Sequence, residues 1–152
     1  MRLALYQPDI PQNAGALMRL SACLGVGIDI IEPCGFLFTA RGFRRAGMDY
    51  VEAAECRRHE SWEAFQAEIK RTRSRLILLS SKALHPYTEF SFEADDILML
   101  GRESSGVPDE VRDAVDASLR IPLRPGLRSL NVAQAGAMVL GEALRQTKGF
   151  PA

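Results

Sequence analysis

The 152-residue chain is predicted to fold as an α/β domain with a mainly parallel sheet. Residues 76–80 and 97–100 are short, continuous apolar runs, which are typical of parallel strands covered on both faces. Segments with helical spacing of apolar residues alternate with these and other short strands along the chain. Because no repeat, linker or low-complexity segment interrupts this alternation, residues 1–152 are predicted to form a single domain.

The amino-terminal part is predicted to be a strand, a helix and a second strand. Residues 2–6 form the first strand, and Asn13 can cap a helix that extends to about residue 24. Gly25 ends this helix, and residues 28–31 form the second strand. The face of the helix predicted to point inward consists of Ala16, Leu17, Leu20 and Leu24.

The next part begins with a basic, irregular stretch at residues 36–50. Residues 51–54 are predicted to be a short strand, and Ser61 is predicted to cap a helix to about residue 71. Three apolar residues spaced for one helix face are predicted to point inward: Trp62, Phe65 and Ile69.

The second half of the chain contains the two apolar strands already described and a third strand at residues 119–121. Residues 82–92 are predicted to be a loop and residues 101–106 a turn. Pro108 is suited to the first position of a short helix that ends near residue 115.

The last helix is predicted to run to about residue 146, with Ser129 or Asn131 as its cap. It is rich in small residues, which are Ala133, Ala135, Gly136, Ala137 and Gly141. A glycine within a helix costs about 1 kcal/mol relative to alanine, so close packing along this helix is expected. The close neighbour is either a second copy of the chain or the protein's own core.

Composition excludes several classes of protein. No apolar run approaches the roughly 20 residues needed to span a bilayer, and the start of the chain resembles a strand rather than a signal peptide, so a cytoplasmic protein is expected. Cys23, Cys34 and Cys56 lack metal-type spacing and are expected to be reduced thiols. His59 and His85 are far apart in sequence, so no metal site is expected.

The formal net charge is zero, which argues against binding nucleic acid through bulk charge alone. Basic residues are nevertheless concentrated in parts of the chain. The candidates for a local basic surface are Arg41, Arg44, Arg45, Arg124 and Arg128. Each of these arginines can equally be a solvated surface residue.

Three loops follow the carboxyl ends of predicted strands, at residues 80–84, 101–106 and 123–130. Ligands of open parallel sheets bind at this edge, and the small residues in these loops allow a ligand to contact main chain. Neither a Gly-x-Gly-x-x-Gly segment after the first strand nor a Walker-type Gly-Lys-Ser/Thr sequence is present, which argues against the two commonest nucleotide sites.

Three segments of the chain resemble the three motifs of the SPOUT RNA methyltransferases. They read PQNAGALMR at residues 11–19, LMLGRESSGVP at residues 98–108 and IPLRPGLRSLN at residues 121–131. The matching residues are Asn13, Gly15, Arg19, Gly101, Glu103, Gly106, Ile121, Pro122, Ser129 and Asn131. IIEPCGF and RRAGMDY resemble the subgroup that methylates the ribose 2′-oxygen of wobble nucleotide 34 in tRNA. The resemblance covers essentially the whole chain.

This resemblance implies helices on both faces of the sheet, a C-terminal segment threaded into a trefoil knot, and a homodimer. It also implies that S-adenosylmethionine is bound in the knot loops and is converted to S-adenosylhomocysteine. The implied cofactor-binding residues are Leu79, Gly101, Glu103, Ile121, Ser129 and Leu130. The chain departs from the subgroup at Gly141, where a tyrosine is usual near the dimer contact, and at Arg102.

The catalytic residues implied by the resemblance are Arg19, Asn13, Ser129 and Asn131. A guanidinium stays protonated, so we expect Arg19 to stabilise the developing oxyanion and to position phosphate. Asn13, Ser129 and Asn131 can instead be plain helix caps, and Glu103 can be a member of a surface salt bridge.

The expected partner is tRNA, bound by a local patch whose affinity falls with salt. The candidate RNA-binding residues are Arg41, Arg44, Arg45 and Arg128. Phe36, Phe38 and Tyr50 are candidates for base stacking. Two other functions stay open, which are 2′-O-methylation of another tRNA or rRNA nucleotide, and binding of cofactor or RNA without catalysis.

Overall fold

The structure is a computed structural model that describes residues 1–37, Thr39 and residues 54–152. Within these residues seven strands form one sheet in which every pairing is parallel. The strands are β1 (Arg2–Tyr6), β2 (Gly27–Ile31), β3 (Cys56–His59), β4 (Leu76–Leu79), β5 (His85–Pro86), β6 (Ile97–Leu100) and β7 (Ala117–Arg120). Their order across the sheet is β3-β2-β1-β6-β4-β7-β5.

The described helices are α1 (Pro11–Leu24), α2 (Trp62–Thr72), α3 (Asp109–Asp113) and α4 (Val132–Thr147). One face of the sheet packs on α1 and α4 in a cluster that includes Leu17, Leu98 and Leu140. The other face packs on α2 and α3, where Phe65 and Val111 are buried. The predicted α/β class with helices on both faces is therefore confirmed. None of the helices in the described residues has the length and hydrophobicity needed to span a lipid bilayer.

The start of α1 differs from the sequence prediction. The helix begins at Pro11, with Ile10 as the residue before it, and so Asn13 is not its cap. Proline at the first helical position has its φ angle already set for a helix, which places the start three residues earlier. The inward face also differs, because Ala16 is exposed whereas Asn13 is buried.

The other two predicted side-chain caps are confirmed. The Ser61 hydroxyl accepts a hydrogen bond from the Ala64 N–H at the start of α2. Asn131, rather than Ser129, caps α4 and accepts from the N–H groups of the first helical turn. Gly25 ends α1 in the left-handed conformation, with φ of 64°.

Edge regions of the sheet were predicted less well than its centre. Of the strand predicted at residues 51–54, only Ala54 lies within the described residues, and it is in a bend. Strand β3, which was not predicted, begins at Cys56. The predicted loop at residues 82–92 contains β5 and a single 3-10 turn, Tyr87–Glu89. The boundaries of α3 and β7 differ from their predictions by two residues or fewer.

The carboxyl-terminal path crosses the sheet in an unusual way. Strand β7 lies between β4 and β5, although β4 and β5 are consecutive in sequence. The connection between them, residues 80–84, therefore passes over the carboxyl end of β7, where the Ser80 N–H donates to the Leu119 carbonyl and Arg120 Nε donates to the Leu84 carbonyl. The chain then returns to pack α4 against α1 and β6. This path is consistent with the predicted trefoil knot.

Candidate active site

A cavity of about 610 Å³ lies at the carboxyl edge of the sheet. Its position follows from the strand register, in which Leu79 pairs with both Leu100 and Leu119. Because these three residues are at the ends of parallel strands β4, β6 and β7, the loops that follow them leave the sheet side by side. The three loops predicted to bind a ligand therefore do converge.

All six residues implied as cofactor contacts line this cavity. They are Leu79, Gly101, Glu103, Ile121, Ser129 and Leu130. Asn13 and Asn131 line it as well. Several other lining residues, including Lys82, Arg112 and Leu123, were not predicted to be site residues.

A hydrogen-bonded chain joins the three motif segments at the cavity. Asn13 Nδ2 donates to Glu103 Oε1 at 3.2 Å, and Asn131 Nδ2 donates to Asn13 Oδ1 at 2.9 Å. The paired residues are 90 and 118 positions apart in sequence, so these contacts hold together parts of the fold that are far apart along the chain.

The same contacts decide between the alternatives for these residues. Asn131 is a helix cap and also contacts the first motif, because its Oδ1 accepts from the Ala133 N–H at 2.8 Å while its Nδ2 donates to Asn13. The Glu103 carboxylate accepts from two uncharged donors, Asn13 Nδ2 and the Asp9 N–H at 2.8 Å. Its described contacts are therefore those of a residue that organises a loop, rather than those of a surface salt bridge.

The loop after β6 is tight because of two glycines. The N–H groups of Arg102 and Gly106 each donate to the other residue's carbonyl, at 2.9 and 2.8 Å. A Cβ atom at Gly101 would lie 2.8 Å from the Gly106 carbonyl carbon, which leaves no room for a side chain. Gly106 has φ of 69°, in the left-handed region that favours glycine. The loop thus presents its main chain to the cavity.

Asp9 fixes this loop from the segment that follows β1. Its carboxylate accepts from Arg102 Nη2 at 2.8 Å and from the N–H and hydroxyl of Ser104. The hydrogen bonds from Arg102 and Ser104 lower the pKa of Asp9 from 3.8 to about 2, so the carboxylate is ionised at neutral pH. Asp9 was not predicted from the sequence, because its partners are more than 90 positions away and no local pattern marks the contact.

The proposed catalytic arginine does not line the cavity. Arg19 lies on an exposed part of α1, whereas Asn13 is buried. Six residues along an α-helix correspond to a rotation of about 240°, so the two motif residues point to different faces of α1. Arg19 therefore lies outside the described lining of the cavity in its own chain.

The candidate RNA-binding residues fall into two groups. Arg128 is exposed and adjoins Ser129, which lines the cavity. Arg41, Arg44 and Arg45 lie outside the described residues. Among the candidates for base stacking, Phe36 is half-buried, whereas Phe38 and Tyr50 lie outside the described residues.

The cavity fits an S-adenosyl ligand in size and chemistry. Pockets for ligands of this size typically have volumes of a few hundred to about a thousand Å³ and combine apolar walls with a few polar groups. Here Leu78, Leu79 and Ile121 supply apolar surface, and Gly101 and Gly106, which also line the cavity, have no side chain to cover their main-chain groups. The three cysteines of the chain are free thiols, and none of them lines the cavity.

Comparison with known proteins identifies similar chains. A sequence model of the SpoU rRNA Methylase family matches residues 1–141. A tRNA (cytidine(34)-2′-O)-methyltransferase from Beijerinckia indica is 62% identical over 144 residues, which are 95% of this chain and 90% of that protein.

Solved structures with the same fold include one that describes the 2-OH methylation of C/U34 on tRNA. It superposes with a TM-score of 0.90 at 39% identity and covers 97% of this chain and 96% of its own. An rRNA methyltransferase from Sinorhizobium meliloti with bound AdoMet superposes with a TM-score of 0.82 at 26% identity, over 95% of this chain and 55% of its own.

Proposed function

The chain belongs to the SpoU rRNA methylase family, and we propose from this that it methylates the ribose 2′-hydroxyl of wobble nucleotide 34, C34 or U34, in the tRNA anticodon loop. The methyl donor is S-adenosylmethionine. The observation that carries the proposal is the Glu103–Asn13–Asn131 hydrogen-bonded chain, which assembles all three motif segments around one cavity. The similarity to the Beijerinckia indica enzyme over nearly the whole chain supports position 34 as the target.

Main-chain groups of Leu79, Gly101, Ile121 and Leu130, together with the Ser129 side chain, would hold the cofactor. When bound, S-adenosylmethionine supplies a methyl group on a sulfonium sulfur and leaves as S-adenosylhomocysteine. Glu103 fixes the loop after β6 through the Asp9 N–H and Asn13, which keeps the main chain of Gly101 in place.

A ribose 2′-hydroxyl is a poor nucleophile until its proton is removed or its developing charge is stabilised. In the proposed mechanism Arg19 stabilises that charge, since a guanidinium keeps its proton under all ordinary conditions. Asn13 and Asn131 orient the substrate side of the cavity, and Ser129 contacts both reactants.

We propose a homodimer in which Arg19 of one subunit acts at the cavity of the other. The location of Arg19 away from the cavity of its own chain supports a shared site. The predicted small face of α4 is divided between two environments. Gly136 packs in the core, whereas Ala137 and Met138 are exposed and available for a second copy.

The proposed RNA contacts are Arg128, beside the cavity, and Arg41, Arg44 and Arg45. A local patch is sufficient for an anticodon loop, because such a loop offers few phosphates and single-stranded bases are read individually. A tRNA substrate places the proposed reaction in the cytoplasm. No step of the proposed mechanism requires a metal ion.

Nucleoside mass spectrometry tests the proposal directly. Total tRNA from cells that lack the endogenous activity is incubated with the protein and S-adenosylmethionine, then digested and mapped. We expect a single 2′-O-methylated nucleotide at position 34. Methylation at another position would favour a different RNA target, and the absence of any product would favour binding without catalysis.

A further inference from the structure

Asp9 is bound to three consecutive residues of the loop after β6. We propose that Asp9 is a positioning residue that fixes residues 102–106 and thereby sets the affinity of the cavity for its S-adenosyl ligand. This inference rests on the proposed function for the identity of the ligand.

The contacts of Asp9 are concentrated on one short segment. Its Oδ1 accepts from Arg102 Nη2 at 2.8 Å and Nε at 3.2 Å, and its Oδ2 accepts from the Ser104 N–H at 3.2 Å and from the Ser104 hydroxyl. Its own N–H donates to Glu103 Oε2 at 2.8 Å. A single residue therefore restrains Arg102, Glu103 and Ser104, which all line the cavity.

The conformation of the segment that carries Asp9 is a second observation in support of the inference. Gln7 has φ of 44°, an uncommon value for a residue other than glycine, and its Oε1 accepts from Arg102 Nη1 at 3.3 Å. A Cβ atom at Gly35 would lie 3.0 Å from Asp9 Cα, so the backbone around Asp9 is closely packed. Because Asp9 does not itself line the cavity, it acts through the loop that it holds.

The alternative is that Asp9 and Arg102 form an ordinary surface ion pair. Such pairs contribute little to protein stability. Asp9 differs from them in two respects. Its side chain is only 19% exposed, and its carboxylate is shared between a guanidinium, a main-chain N–H and a hydroxyl. The pair Glu68–Arg71 on α2 is a matched contrast, because it is also a two-pronged carboxylate–arginine contact but lies away from the cavity.

The test compares the dissociation constant for S-adenosylhomocysteine, measured by calorimetry, in wild type, Asp9→Ala and the control Glu68→Ala. We expect Asp9→Ala to weaken binding by about tenfold or more, since hydrogen bonds to a charged group are lost from the loop. Glu68→Ala should bind as wild type does. In steady-state methylation, KM for the methyl donor should rise in Asp9→Ala while kcat at saturating donor is retained.

A second variant distinguishes positioning from general destabilisation. Ser104→Ala removes one partner of Asp9 and leaves the ion pair, so we expect a smaller loss of affinity. If Asp9 acts through the Ser104 hydroxyl, the loss of affinity in the double variant Asp9→Ala/Ser104→Ala should be smaller than the sum of the losses in the two single variants. Ser104→Ala also serves as the test variant if Asp9→Ala does not fold.

Wild-type affinity in folded Asp9→Ala, or equal losses in Asp9→Ala and Glu68→Ala, would overturn the inference. If Asp9→Ala does not fold, wild-type affinity in Ser104→Ala would overturn the inference.

The proposed function is tested separately from the role of Asp9. A wild-type protein that binds no S-adenosyl ligand would overturn both, whereas a wild-type protein that methylates position 34 with an unaffected Asp9→Ala variant would overturn only this inference.

Discussion

At the scale of single residues, α1 divides the first motif between two environments. Asn13 is 9% exposed and links Glu103 to Asn131, whereas Arg19 is exposed on another face of the helix. A residue that shapes the cavity and a residue that we propose to contact the substrate thus belong to one short sequence segment. Variants at the two positions should therefore affect different steps.

Arg19→Ala is expected to reduce methyl transfer by at least about a hundredfold, the typical loss when a preorganised charge-stabilising group is removed. Affinity for S-adenosylhomocysteine should be nearly unchanged, because the proposed contacts of Arg19 are with the ribose oxygen and phosphate of the RNA rather than with the cofactor. Single-turnover methylation and calorimetry measure the two quantities. Arg71→Ala on α2 is the control, and turnover equal to wild type in Arg19→Ala would remove this residue from the mechanism.

Sequence analysis predicted Asn13, Glu103 and Asn131 as site residues but could not predict how they contact one another. Helix capping depends on neighbouring residues, which is why the role of Asn131 as a cap was predictable. The contact between Asn13 and Asn131 depends on how α1 and α4 meet in space. The contact of Asp9 with Arg102 has no local signal in either segment, so only the structure reveals it.

At the scale of secondary structure elements, α4 packs closely on one side and is open on the other. A Cβ atom at Gly136 would lie 2.9 Å from the side chains of both Leu100 and Leu17, whereas a Cβ atom at Gly141 would have no neighbour within 4 Å in the described chain. The two glycines cost the helix the same intrinsic stability, but only Gly136 lies where α4 packs closely on α1 and β6 in the described chain.

Replacement of each glycine by alanine separates helix propensity from packing. Gly141→Ala should raise the free energy of unfolding by about 0.5–1 kcal/mol, because the unfolded chain loses freedom and no contact is disturbed. Gly136→Ala gains the same propensity but overpacks the core, so its free energy of unfolding should lie about 1–3 kcal/mol below that of Gly141→Ala.

The free energies of unfolding of wild type and both variants are compared by urea unfolding, in which the transition midpoint and the dependence of the free energy on urea concentration are measured. Equal stability of the two variants would contradict the close packing at Gly136. A Gly141→Ala variant less stable than wild type would place a second copy's backbone against this position.

The position of a strand in the sheet, at the centre or at an edge, explains whether it was predictable from the sequence. Strands β4 and β6 are covered on both faces, and their continuous apolar sequences located them to within one residue. Strand β3 contains Arg57 and Arg58 and, within the described part of the chain, lies at the edge of the sheet beside β2, so it carries no apolar signal. Strand β5 has two residues and is defined only by its pairing with β7.

At the scale of the whole molecule, the order of the strands determines where the motif segments lie. The insertion of β7 between β4 and β5 brings residues 121–131 over the same edge as the loops after β4 and β6. Sequence patterns predicted parallel strands but gave no strand order, because local periodicity carries no information about pairing partners. The threaded path was expected only from the resemblance to SPOUT methyltransferases.

A shared site predicts that two inactive variants restore activity when they are combined. Arg19→Ala lacks the proposed charge-stabilising group but keeps the cavity. Gly101→Ala keeps Arg19, but its Cβ atom would collide with the Gly106 main chain. We expect this collision to distort the loop after β6 and to prevent cofactor binding. In a symmetric dimer, each mixed dimer then contains one site with both an intact cavity and an intact Arg19.

Coexpression of the two variants with different affinity tags gives purified mixed dimers. Each mixed dimer should have about half of the wild-type activity, since one of its two equivalent sites is intact. Each variant expressed alone provides the control and should be inactive. Inactive mixed dimers would show that Arg19 and the cavity must belong to the same chain. That result would require a rearrangement of α1 within one subunit, because the present fold places Arg19 and Asn13 on different faces of that helix.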